Sequence, residues 1–141
     1  MANIRIRLVC GIENEDILTE LHQECFDGDS LPDFDQEYWW LAYDDKEPIA
    51  FAGMHKSRSW HNVGYMCRVG VLPEYRGNGL QKRLIRTRLA HAKRHGWVAV
   101  ITDTYDNPPS SNSLISCGFK LYNPENPWSF KNALYWIKRL D

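Results

Sequence analysis

The stretch Val69-Gly70-Val71-Leu72-Pro73-Glu74-Tyr75-Arg76-Gly77-Asn78-Gly79-Leu80-Gln81 constrains this chain more than any other. Pro73 ends a strand, the two glycines of the turn open backbone angles closed to other residues, and a helical pattern begins directly afterwards. A strand that passes through such a turn into a long helix aims several unpaired backbone N–H groups at one point, at the positive end of the helix dipole. That point is an anion site, most naturally for a pyrophosphate. By spacing alone, R-G-x-G is equally a plain strand-to-helix turn. Two familiar phosphate loops are excluded, because no Gly-Lys-Ser/Thr follows and the G-x-G-x-x-G spacing is missing.

The rest of the chain supplies a frame for that turn. Residues 4–9 alternate apolar and charged side chains and predict a strand. Glu15 to Cys25, with Asn14 as N-cap, places Ile17, Leu18, Leu21 and Cys25 near helical spacing. Gly28 to Pro32 breaks that helix, and Asp33 to Tyr38 predicts a further turn or two of helix. Trp39 to Tyr43 and Ile49 to His55 predict a hairpin across Asp44, Asp45, Lys46, Glu47 and Pro48. Asn62 to Leu72 predicts the strand entering the glycine turn. Leu80 to His95 predicts the long helix, with Leu80, Leu84, Leu89 and Ala92 as its apolar stripe and Gly96 as its stop. Val98 to Thr104 reads as a strand bounded by the turn residues Asp106, Asn107, Pro108 and Pro109. Ser111 to Cys117 reads as a short helix, and Phe119 to Tyr122 and Ala133 to Leu140 as closing strands. The order βααβββαβαββ describes an α/β domain built on a strand, helix, strand crossover.

A length of 141 residues predicts a single domain, 1–141. Seventeen Lys and Arg against eighteen Asp and Glu leave a net charge of −1, which argues against a nucleic-acid partner. No apolar run approaches the roughly 20 residues of a membrane span. The charged first strand is unlike the centre of a signal peptide, so the expectation is a cytoplasmic protein with no membrane partner. Cys10, Cys25, Cys67 and Cys117 form no C-x-x-C pair and are expected to be reduced thiols.

Taken together, Val71, Pro73, Arg76, Gly77 and Gly79, followed by a long helix, resemble the V-x-P-x-x-R-G-x-G signature of the GNAT superfamily of acyl-coenzyme A dependent N-acyltransferases. Asn107, Ser110, Gly118 and Phe119 fall on the spacing of that family's second motif. The chain departs at Gln81, where Gly or Ala is usual, and at Leu114, where a tyrosine often stands. The resemblance implies a mixed, mostly antiparallel sheet of six to seven strands flanked by about four helices and splayed between the central strands. It implies acetyl-CoA as co-substrate and no metal. It places the pyrophosphate on the backbone of Arg76, Gly77, Asn78, Gly79, Leu80 and Gln81, the pantetheine arm against Val69 and Val71, and Asn107 and Ser110 along that arm. The activity implied is acetyl transfer to a primary amine of a small molecule or protein, with a homodimer as a possible assembly. A non-catalytic module of the same fold, binding coenzyme A or a protein partner, is the alternative, and Leu114 favours it.

The chemistry of the step weighs the remaining residues. Neutralising an amine of pKa about 10.4 at pH 7 costs about 4 to 5 kcal/mol, whereas protonating a thiolate of pKa about 8.5 needs only about 2. Proton removal is the larger demand, and Asp103 is the favoured base because the family usually has an apolar residue there. The competing roles for Asp103 are a cap on the following turn or a partner for Arg68. Tyr105 and Ser113 are candidate acids, joined by Cys117 and Tyr122. His61 and Glu37 are weaker bases on the acceptor side. Asp33, Asp35 and Glu37 would attract a cationic acceptor, unless that segment is a solvated loop with caps. Lys82 or Arg83 could meet the 3′-phosphate, although a basic helix face is more ordinarily a solvated one. His91 and His95, four apart, read as cations at a helix C-terminus. Trp128 is the tryptophan expected to face a ligand or a second subunit.

Overall fold

The structure, a computed structural model, describes residues 3–35 and 38–140. In chain order its elements are β1 (Ile4–Val9), α1 (Glu15–Cys25), β2 (Tyr38–Asp44), β3 (Glu47–Lys56), β4 (Val63–Val71), a 3-10 turn (Pro73–Tyr75), α2 (Leu80–Arg94), β5 (Ala99–Thr104), α3 (Pro108–Ser116), β6 (Lys120–Leu121) and β7 (Leu134–Arg139). The strands form one seven-stranded sheet in the order β1-β2-β3-β4-β5-β7-β6. β4 and β5 pair parallel because α2 carries the chain back across the sheet, while β1–β2, β2–β3, β5–β7 and β6–β7 are antiparallel. The parallel register covers Val63–Tyr65 against Ala99–Ile101, and both strands run on beyond it, to Val71 and Thr104. This is the mixed, mostly antiparallel sheet expected, with three helices among the described residues where about four were expected.

The chain divides into two compact units, residues 1–55 with 67–84, and residues 56–66 with 85–141. The first unit is organised around Leu18, Leu21, Phe34, Trp39, Leu41 and Phe51. α1 contributes Leu18 and Leu21, and burying each such side chain contributes about 1.5 to 3 kcal/mol. Asn14 precedes α1 as expected, but its amide donates to the Cys10 carbonyl (2.9 Å) and makes no side-chain cap. The β2–β3 hairpin is tighter than the sequence suggests. Asp44 pairs with Glu47, leaving Asp45, at φ 56, and Lys46 to turn the chain. Of the expected helix over Asp33 to Tyr38, Gln36 and Glu37 lie outside the described residues, and none of the others is helical. Asp33 and Asp35 close a short turn by an Asp35 N–H bond to Asp33 Oδ1 (3.0 Å), and β2 begins at Tyr38. Gly70 must be a glycine, since a Cβ there would lie 2.6 Å from the Phe51 ring and 2.8 Å from Cys25 Cβ.

The second unit buries Val63, Ala99 and Ile101, with Tyr65, Tyr122 and Ile137 packed against them. α2 ends as predicted, with Gly96 at φ 74 and a Trp97 N–H bond to the Ala92 carbonyl (3.1 Å). Its basic side is not wholly solvated. Arg88 is 1% exposed and His91 5% exposed, because the helix is covered on more than its apolar stripe. α3 starts at Pro108 and not at Ser111. Asn107 is its N-cap, accepting from the Ser110 N–H (3.2 Å), and the two prolines fill positions whose N–H groups have no helical partner in any case. Replacing the cap, Asn107→Ala, is expected to lower stability by about 0.5 to 2 kcal/mol in chemical denaturation.

Candidate functional site

In the first unit the glycine turn is built from both its ends. Tyr75 donates to Asp44 Oδ2 (2.7 Å), which ties the turn to the end of β2. That bond, with burial and the nearby acidic groups, pushes the Tyr75 hydroxyl up to about 12, so it anchors and does not titrate near neutrality. Asn78 reaches back to the carbonyls of Tyr75 and Arg76 (both 3.4 Å). Gly77 and Gly79 sit at φ 82 and 78, the conformation for which glycine is suited. A Cβ at either position would meet nothing within 4 Å. The backbone N–H groups of Gly77, Asn78, Gly79 and Leu80 make no hydrogen bond among the described residues. Four open donors at the start of a fifteen-residue helix, beside empty space, fit a phosphate-bearing ligand.

Around this turn the side chains do less than their types suggested. Arg76 folds back, its Nε donating to the Val71 carbonyl (2.9 Å) and its guanidinium bonding the Cys25 thiol, which burial otherwise pushes up. An arm pairing with the Val71 carbonyl would use that oxygen's second lone pair or displace Arg76. Val69 and Val71 are both half-buried on β4. Arg83 donates to the Ile4 carbonyl (3.2 Å), so of the two basic residues at the helix start Lys82 is the one left for a further phosphate.

The acidic segment divides. Asp33 and Asp35 are exposed, and Asp33 is engaged as the acceptor of its turn, while Glu37 lies outside the described residues. Arg68, one of the partners considered for Asp103, is engaged elsewhere. It lies 2.9 Å from His22 Nε2 and 3.5 Å from Asp29, and stacks over Phe26 (5.4 Å). His22 is fully buried, and burial, then Arg68, lowers its pKa, so it stays neutral beside the guanidinium.

In the second unit Asp103 has a more specific setting than any sequence motif announced. Its Oδ1 accepts from the Tyr65 hydroxyl (2.5 Å) and from Trp128 Nε1 (3.0 Å). Trp128 meets Tyr65 edge-to-face at 5.9 Å and Tyr135 at 4.6 Å. The loop carrying Trp128 is tied down where Ser129 N–H donates to the Tyr135 hydroxyl (3.0 Å). Asp103 forms no ion pair among the described residues. Tyr122 lies in the same neighbourhood, and burial, then Tyr135 and Asp103, raise its pKa, which weakens it as an acid at neutral pH. Trp128 is expected to face a ligand or a second subunit, but its link to Asp103 is not legible in the sequence, because the β5–β7 register that aligns Asp103 with Tyr135 brings the two together across the chain.

The other candidates take separate positions. Tyr105 is exposed, with its ring 5.3 Å from Phe130, and Ser113 is buried on α3. Leu114 is buried at 4%, a core residue with no hydroxyl to offer. His61 is exposed in the turn between β3 and β4. Asn107 and Ser110 hold each other at the α3 cap. No group of three or more His, Cys, Asp or Glu suited to a metal ion is found among the described residues. Among the same residues no helix is long and apolar enough to cross a membrane.

Residues 11–119 match the family model described as Acetyltransferase (GNAT) family. No curated protein matches the chain. Among solved structures, an IAA acetyltransferase from Bacillus cereus is similar, with a TM-score of 0.78 at 16% identity over 98% of this chain and 100% of that one. A Bacillus subtilis acetyltransferase in complex with CoA gives 0.79 at 17% identity, over 98% and 99%. The ribosomal-protein alanine N-acetyltransferase of Escherichia coli gives 0.77 at 12% identity, over 98% and 94%. At these identities the likeness is one of fold.

Proposed function

The chain belongs to the acetyltransferase (GNAT) family, whose co-substrate is acetyl-CoA, and we propose that it transfers the acetyl group to a primary amine of a cationic acceptor, with residues 1–141 acting as one catalytic domain. The observation that carries this is the open glycine turn. Its free N–H groups from Gly77 to Leu80 have the number and the helix-end placement that a pyrophosphate needs, and their neighbours leave room for it. Gln81 stands at the same helix start and takes the place of a smaller residue without closing that space. Val69 and Val71 offer strand backbone to the arm of the co-substrate.

Acetyl-CoA supplies a thioester, activated toward amines and carrying a thiolate of moderate basicity as its leaving group. What remains for the chain is to bind the amine, keep it close and manage two protons. Tyr105, whose hydroxyl reaches solvent, is a better donor to the departing thiolate than Ser113, which is buried. The lack of a hydroxyl at Leu114 is tolerable because that protonation is the smaller of the two demands. Asp33, Asp35 and Glu37 contribute a long-range attraction for a cation, and His61 is a further acceptor-side group.

Calorimetry with acetyl-CoA, followed by thiol release against a panel of polyamines, amino acids, aminoglycosides and peptides, tests the proposal. Stoichiometric binding is expected, and turnover above background hydrolysis with a cationic amine. Binding without turnover on any amine would return the chain to the reading as a non-catalytic module. Absence of binding in the millimolar range would remove the co-substrate site as well.

A further inference from the structure

A half-buried carboxylate without a cationic partner among the described residues needs an explanation, and Asp103 is one. Both of its neutral donors, the Tyr65 hydroxyl and the Trp128 indole N–H, converge on Oδ1, and Oδ2 has no partner among the described residues. The rings around it stand nearly perpendicular, 84° between Tyr65 and Trp128 and 75° between Trp128 and Tyr135. Trp128 is 43% exposed, so the corner opens to solvent. A fixed carboxylate oxygen beside aromatic rings attracts an organic cation twice over, by charge and by the ring quadrupoles.

We propose that Tyr65, Asp103, Trp128 and Tyr135 form a recognition site for an alkylammonium group of the acceptor, distinct from the amine that is acetylated. The second half of this statement rests on the proposed transfer reaction. An alkylammonium and a carboxylate differ by about six pKa units in water, so their contact is an ion pair and not a proton transfer. A nitrogen held there stays charged and cannot attack the thioester. The acceptor that fits this corner and also reacts therefore carries two basic nitrogens, one docked at Asp103 and one free to be acetylated. This assigns Asp103 to acceptor binding in place of the base role expected from the sequence. Tyr65 and Trp128 are positioning residues that hold its carboxylate in one orientation.

Tetramethylammonium tests the binding half, since it has a fixed charge and no proton to lose or nitrogen to acylate. Binding is measured by calorimetry on the full chain without acetyl-CoA. Asp103→Asn, which keeps an oxygen for both donors, should weaken it by about tenfold or more, and Trp128→Ala by several-fold, with Trp128→Phe, which keeps a ring but loses the N–H donor, in between. Because Trp128 lies on an exposed loop, its variants report on the site even if Asp103→Asn folds poorly. Equal binding by wild type, Asp103→Asn and Trp128→Ala overturns the proposal. For the catalytic half, butylamine and its terminal diamine are compared as acceptors. Asp103→Asn should raise KM for the diamine by about tenfold with kcat nearly unchanged, and change KM for butylamine less, because its single nitrogen cannot dock and react at once. A fall in kcat on both amines would make Asp103 a base and overturn the assignment. Tetramethylammonium binding with no thiol release from any amine would uphold the cation site and reject the transfer reaction.

Discussion

Gly79→Val should abolish measurable acetyl-CoA binding while the protein still folds. The residue sits at φ 78, where a β-branched side chain is strained, and that strain costs about 1 to 2 kcal/mol. A Cβ there meets nothing within 4 Å, so packing adds no further penalty and the loss of Tm should be only a few degrees. Binding suffers for a different reason. The space that is open to a Cβ is the space through which a phosphate approaches the amides of Gly77 to Leu80, and isopropyl methyls would fill it. Losing two charge-assisted hydrogen bonds, at about 1.5 to 3 kcal/mol each, corresponds to a weakening of about 100-fold or more. Gly96→Val is the control, because Gly96 also has positive φ (74) and open space but stands at the other end of α2. It should destabilise similarly and bind acetyl-CoA like wild type. Equal loss of binding in both variants would trace the effect to folding and leave the turn without its assigned role.

The contrast between these glycines shows what was legible in the sequence. The turn was readable because its information is local. A strand breaker, two residues tolerant of positive φ and a helical pattern follow one another within a few positions, and local sterics fix the geometry. Asn107, Pro108 and Pro109 carried equally local information but were ambiguous, since the same residues serve turns and helix starts. The choice fell to the Ser110 N–H that Asn107 accepts. The burial of Arg88 and His91 is not local information. Their residue types favour solvent, and only tertiary packing around α2 decides that they are covered. The Asp103 corner was the least legible feature, since Tyr65, Asp103, Trp128 and Tyr135 come from three strands and a loop and meet only through strand register.

Burial of His91 has a consequence for stability that is large and specific in pH. Burial, with His95 and Arg94 close by, pushes its pKa down to about 4 from an ordinary value of 6.5. The ring packs 4.4 Å from His95 and 6.4 Å from Trp97, surroundings that favour the neutral form. Between those two values the unfolded chain binds a proton that the folded chain refuses. Stability is therefore full above pH 6.5 and is lost as pH falls toward 4, by about 3 kcal/mol in all at 1.36 kcal/mol per pH unit. His22, also lowered by burial, adds to the loss in the same direction. Urea denaturation of wild type across this range should show the decline, and His91→Leu, which has no proton to bind, should flatten the greater part of it whatever its stability at pH 7. NMR titration of the folded wild type supplies the independent reading, with the His91 ring expected to protonate well below pH 5. A midpoint near 6.5, or a pH slope in His91→Leu as steep as that of wild type, would mean that His91 is solvated and that the acid sensitivity of the fold arises elsewhere.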